Sequence, residues 1–169
     1  HNPHGDGAIP RAARVRAYPV VERYSLIWIW MGEAEKADEA LITEVKIPES
    51  YKYWSIILTN ELYETTDWYN NQSSLNDMQG LVDSDSIFRT VISARDPGVH
   101  NWLDTAGYES GAIQGRWFGA NETPNPNIRK VKLVDVASQL PAGTKRVSPQ
   151  ERAIALRNRR IAAQKRAIW

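Results

Sequence analysis

The stretch AYPVVERYSLIWIWMG, Ala17 to Gly32, constrains the fold of this chain more than any other. Its uncharged part, Tyr24 to Gly32, is nine residues long, whereas a helix needs about 20 apolar residues to cross a bilayer. The run is therefore a buried element, not a membrane span. Arg14, Arg16, Tyr18 and Val20–Val21 lead to a polar corner at Glu22–Arg23, and the apolar and aromatic run follows. That pattern predicts two β-strands joined by a tight connection, the second rich in the residues that suit a pleated, half-buried surface.

Further strand-like stretches are YKYWSIILTN (51–60), SIFRTVISAR (86–95), GAIQGRWFGA (111–120) and RKVKLVDV (129–136). The connectors between them are rich in Asn, Gly, Pro and Ser, as turns require. EAEKADEALI (33–42) has the charged, alanine-rich composition of a short helix or linker, and a boundary is expected near Ala40–Glu44. No internal repeat interrupts this order.

The end of the chain reads differently. Ser148, Pro149 and Glu151 form a capping-box pattern with proline at the first helical position, which predicts a helix starting there. Ile154, Ile161 and Ile168 recur at a seven-residue spacing on one face, and Arg152, Arg159 and Arg166 on another. Eight Lys or Arg follow Thr144 against Glu151 alone, a local charge of +7, so the preceding residues carry −6. A basic helix beside an acidic body is expected to dock on that body through its isoleucine stripe. Nucleic-acid binding by phosphate neutralisation is the lesser reading, and a membrane-surface role is weaker still, because the apolar face is mostly alanine.

The chain contains no cysteine, which removes disulfides, a thiolate nucleophile and cysteine-ligated metals from consideration. No pattern of charged, apolar and cleavage regions opens the sequence, and a cytoplasmic location is expected.

Residues 2–38, NPHGDGAIPRAARVRAYPVVERYSLIWIWMGEAEKAD, resemble the C-terminal part of the Rieske domain of vanillate-demethylase-like Rieske oxygenases. The resemblance implies a [2Fe–2S] cluster held by two Cys and two His, feeding a mononuclear iron. The family's cluster motifs are missing from this sequence and it has no Cys, so no [2Fe–2S] centre and no other cofactor is expected. The iron site implied by the family needs two His and one carboxylate, and beyond His1 and His4 the chain has only His100. Residues 47–169 resemble uncharacterised bacterial β-rich domains of unknown function. The resemblance rests on Tyr53–Trp54, on RDPGVHNWLDTAG from Arg95 to Gly107, on Gly111 to Trp117, and on the basic tail. It implies a β-sandwich without an established activity.

Within that second region, His100, Asn101, Trp102, Arg116 and Trp117 could line a cleft that stacks a ring and hydrogen-bonds its polar edge. The bland alternative places both tryptophans in the core and spends Asp104 on an Asx turn through Thr105–Gly107. No nucleophile elbow, phosphate loop or positioned acid–base pair is present.

The expected protein is thus mainly β: an antiparallel, jelly-roll-like β-sandwich with a Rieske-like strand pair at the N-terminus and a basic C-terminal helix. The expected division is 1–40 for the strand pair, 41–144 for the sandwich and 145–169 for a helix packed on it. The expected function is a non-catalytic ligand-binding or accessory module for a small aromatic or polar ligand. The rival is a fragment of a Rieske-type oxygenase whose partner subunit carries the iron.

Overall fold

A computed structural model describes residues 38–166, together with the paired backbones of β1 (Val20–Arg23) and β2 (Leu26–Ile29). These two strands run antiparallel, with Val20 opposite Ile29 and Arg23 opposite Leu26. The opening stretch is a strand pair, as its alternation predicts. The loop before it, including His1 and His4, lies outside the described residues.

Seven further strands form two sheets. β3 (Glu39–Lys46), β6 (Ile87–Ser93), β7 (Trp102–Asp104) and β9 (Asn127–Lys132) make one, in the order β7-β6-β3-β9. β4 (Tyr53–Thr59), β5 (Ser74–Asn76) and β8 (Ala112–Phe118) make the other, in the order β5-β4-β8. All pairings are antiparallel except β6 with β7, where Val91 lies opposite Trp102 in parallel register.

The sheets face each other across one apolar core. Val45, Phe88, Ile92 and Leu103 from the first pack against Trp54, Ile56, Leu58 and Leu75 from the second. Trp54 anchors this layer, its ring 4.8 Å from Phe88 and 6.0 Å from Trp117 between centroids. The fold is a β-sandwich.

The outer face of the larger sheet is covered as well. Ala40, Ile42, Val91 and Trp102 pack with Val99 and with Val136 and Leu140. Val136 opens a short helix, α1 (Val136–Gln139), which follows a 3-10 turn at Leu133–Asp135. Burial on both faces explains two departures from the sequence reading. Glu39–Ile42 is strand rather than helix or linker, because Ala40 and Ile42 bury on one face while Leu41 packs on the other, a tertiary demand that overrides local composition. The strand over 129–136 ends at Lys132, because Val136 must turn back to cover Ile42 and Val91. β3 also runs through Ala40–Glu44, where composition had placed a boundary.

The terminal helix, α2 (Pro149–Gln164), has its capping box: Ser148 Oγ accepts from the Glu151 N–H at 3.2 Å, and Glu151 Oε2 accepts from the Ser148 N–H at 2.8 Å. Those bonds to the Ser148 backbone and hydroxyl hold the Glu151 carboxyl below its ordinary pKa. The docked face is not the one expected. Ile154 is 59% exposed and Ile161 36%, whereas Arg152 and Leu156 are buried. The Arg152 guanidinium donates to both carboxylate oxygens of Asp96, at 2.8 and 3.3 Å, to Gln72 Oε1 at 2.9 Å and to the Val99 carbonyl, and it lies 5.0 Å from the Trp102 ring. One turn of the heptad further on, Arg159 donates to the Trp68 carbonyl and the Ser74 hydroxyl, both at 3.1 Å, and to the Ser74 carbonyl. Burial pushes its pKa down. Arg166 lies over the Trp68 ring at 4.6 Å. The arginine stripe docks because arginine buries its stem while its planar head satisfies several acceptors at once.

Candidate functional site

At one end of the sandwich the sheets part around a cleft of about 170 Å³. Its apolar floor comes from two register pairs: Leu41 with Ile92 across β3 and β6, and Leu58 with Ile113 across β4 and β8. Thr59, Thr66, Thr105, Tyr108, Glu109 and Ser110 supply the polar part of the wall.

The loop from Thr105 to Gly111 owes its path to local chemistry. Asp104 Oδ1 accepts the Ala106 N–H at 2.9 Å, the expected Asx turn. Ala106 and Gly107 then take φ of +52° and +86°, and the Tyr108 N–H donates to the Thr105 carbonyl at 3.0 Å. Glycine adopts that left-handed conformation freely, whereas Ala106 is held in it by its bond to Asp104. At Gly111 the loop meets Thr59 so closely that a Cβ would lie 2.0 Å from the Thr59 carbonyl oxygen. A hydrogen bond from the Ser110 hydroxyl to the Glu61 carboxylate ties the same loop to the turn after β4. The Thr105 hydroxyl is buried on the cleft wall and has no hydrogen-bond partner in the protein.

None of the five residues singled out from sequence lines this cleft. Trp102 is buried in the core beneath Arg152, and its indole N–H donates to the Ser93 carbonyl and hydroxyl at 3.1 and 3.0 Å. The Asn101 amide donates to the carbonyls of Leu81 and Arg89, at 2.6 and 2.9 Å, and its oxygen accepts the Leu81 N–H at 2.9 Å. His100 Nε2 sits 2.9 Å from the Gln79 carbonyl, so that ring nitrogen carries the proton that binds it. His100 and Asn101 thus pin the Gln79–Leu81 segment to the entry of β7. Arg116 and Trp117 stand on β8, in the other sheet, where Trp117 packs on Trp54 and Arg116 is exposed. Neighbours in sequence are divided between scaffold positions, and from the loop they flank it is Thr105 that lies on the cleft wall. The apolar floor was missed because alternation marks core strands without showing where two sheets diverge.

The iron chemistry implied by the Rieske resemblance does not fit these residues. A cluster of that kind needs cysteine thiolates, and the chain has none. His100 is the one histidine of residues 38–166, and its Nε2 is committed to Gln79. Among the described residues no group of three or more His, Cys, Asp or Glu could hold a metal ion, and no helix is long and apolar enough to cross a membrane.

No known protein-family profile matches the chain. Over 44 residues it is 54% identical to the oxygenase component of dicamba O-demethylase from Stenotrophomonas maltophilia, a match covering 26% of this chain and 13% of that protein. Over 53 residues it is 45% identical to the oxygenase component of chloroacetanilide N-alkylformylase from Rhizorhabdus wittichii, covering 31% of this chain and 14% of that one. It is similar to oxygenase components only in part. The chain thus spans about a seventh of the length of these curated relatives. A crystal structure of an uncharacterised protein from Burkholderia cenocepacia superimposes with a TM-score of 0.56 at 35% identity, covering 59% of this chain and 28% of that one. The resemblance to oxygenase components is thus supported in part, by short matches, and the structural neighbour is an uncharacterised protein.

Proposed function

We propose that this chain is a non-catalytic β-sandwich module that holds a small, single-ring molecule between its sheets. The carrying observation is the cleft itself, an apolar floor with one buried, unpartnered hydroxyl on its wall. Its volume of about 170 Å³ is close to the ~150 Å³ of an apolar cavity that binds benzene. Among the described residues the lining offers hydroxyls and one carboxylate but no imidazole or amine, which supports binding over acid–base or nucleophilic catalysis. The oxygenase components it partly resembles act, by their names, on dicamba and on a chloroacetanilide, both small organic compounds.

Saturation-transfer NMR with phenol and with toluene tests this reading. Both should bind, phenol the more tightly because its hydroxyl can meet Thr105. Thr105→Val should remove phenol's advantage while stabilising the empty protein by about 1 kcal/mol, since a buried hydroxyl without a partner is a cost. Failure of both rings to bind at millimolar concentration would sink the proposal.

A second reading, favoured by the sequence matches, places the chain within an oxygenase system whose iron is held elsewhere. Under either reading, the purified chain incubated with iron and sulfide and then desalted should be colourless and retain well under one iron per chain. Stoichiometric iron surviving chelation would show that the chain itself carries a centre.

A further inference from the structure

We infer that β8 is a self-association edge that pairs with β8 of a second copy of this chain. An unpaired strand edge invites pairing with another chain, and proteins blunt such edges with short strands, charge or proline. Three of the four edges in these two sheets are blunted. β5 and β7 have three residues each, and β9 carries Arg129, Lys130 and Lys132 within six residues. β8 is different: seven residues, Arg116 as its single charge, no proline, and Phe118 61% exposed.

The backbone of β4 is divided between two partners, whereas β8 has only β4. The Leu58 N–H donates to the Ser73 carbonyl at 2.9 Å, so Leu58 and its alternates on β4 face β5. The intervening Ser55 and Ile57 therefore face β8, opposite Arg116 and Gln114. By the same alternation, Ile113, Gly115 and Trp117 present their N–H and C=O groups to the open edge.

The sequence of β8, AIQGRWF, is complementary to itself in antiparallel register about Gly115. That register sets Gly115 opposite Gly115, Ile113 opposite Trp117, Gln114 opposite Arg116 and Ala112 opposite Phe118. Ala112 meets Phe118, the β-branched Ile113 meets the Trp117 ring, and the lone cation meets an amide rather than its own copy. Gly115 is otherwise unexplained. Its φ is not positive, and a Cβ there would find only ordinary contact, 3.5 Å from Trp117 Nε1. Glycine weakens a strand interior and marks close approach by another backbone, which this axis supplies.

Sedimentation equilibrium of the full chain should show a monomer–dimer equilibrium. Gln114→Arg would place two pairs of like charges across the axis and should raise Kd about tenfold at low salt. Gln114→Glu should lower it by a similar factor. Gln114 is exposed, so neither change threatens the fold. Gly115→Pro removes an N–H that the monomer leaves unpaired, and should yield a folded monomer. Because the chain lacks cysteine, the double variant Gln114→Cys with Arg116→Cys should oxidise to a covalent dimer, since directly opposed residues of this kind lie about 4.5 Å apart between Cα atoms. A chain that stays monomeric up to ~1 mM, or a dimer whose Kd is the same in both Gln114 variants, would overturn the inference.

Discussion

Arg152→Ala should lower the unfolding free energy by roughly 2–4 kcal/mol, because it strands buried acceptors and breaks an ion pair that is buried on the arginine side. Alanine would strand Gln72 Oε1 and the Val99 carbonyl, leave the partly exposed Asp96 carboxylate with the Gly98 N–H, and uncover the Trp102 ring. Gln72 is itself a hub, its amide donating to the carbonyls of His100 and Trp102 at 3.0 and 2.7 Å. The damage should therefore spread to the entry of β7. Ile154→Ala and Ile161→Ala, on the exposed face, should each change stability by no more than about 0.5 kcal/mol. Urea denaturation of the three variants decides the matter. If the isoleucine variants are the costly ones and Arg152→Ala is silent, the helix docks in solution by its other stripe.

Phe88→Ala should cost somewhat more, roughly 3–5 kcal/mol, because it empties the centre of the inter-sheet core. Phe88 is fully buried against Trp54. The two rings also dictate Gly80. A Cβ at that position would lie 2.7 Å from Phe88 Cε2 and from Trp54 Cη2, neither of which has room to move. Gly80→Ala alone should therefore destabilise by about 1–3 kcal/mol through overpacking. In the Phe88→Ala background one of the two clashes is gone and the Trp54 ring can shift into the vacated space, so the same change should cost less. A double-mutant cycle should give a coupling of about 1 kcal/mol or more. Strict additivity would mean that Gly80 is glycine for a reason other than these rings.

Local readings of the chain survived where the causes are local. The capping box at Ser148, the Asx turn at Asp104 and the pairing of Val20–Arg23 with Leu26–Ile29 depend on residues close in sequence, the widest pair being Val20 with Ile29. The candidate site fared differently. Adjacency of His100, Asn101 and Trp102 to a glycine-containing loop suggested a binding surface, but each side chain had a distant acceptor waiting: Gln79, Leu81 with Arg89, and Ser93. Nothing at those positions announces these carbonyls beforehand.

By itself the sequence determined the class of fold, the capped terminal helix and the absence of a thiolate ligand, because periodicity, capping chemistry and composition act within a few residues. Tertiary structure alone decided which stripe of α2 is buried. Isoleucine and arginine recur with the same seven-residue spacing, so periodicity cannot rank them. The outcome rests on Asp96, Val99 and Gln72, brought from 53 to 80 residues away to meet one guanidinium. The cleft was settled in the same way. Leu41, Leu58, Ile92 and Ile113 are ordinary strand residues until the two sheets diverge around them, and that divergence depends on the packing of strands far apart in the chain.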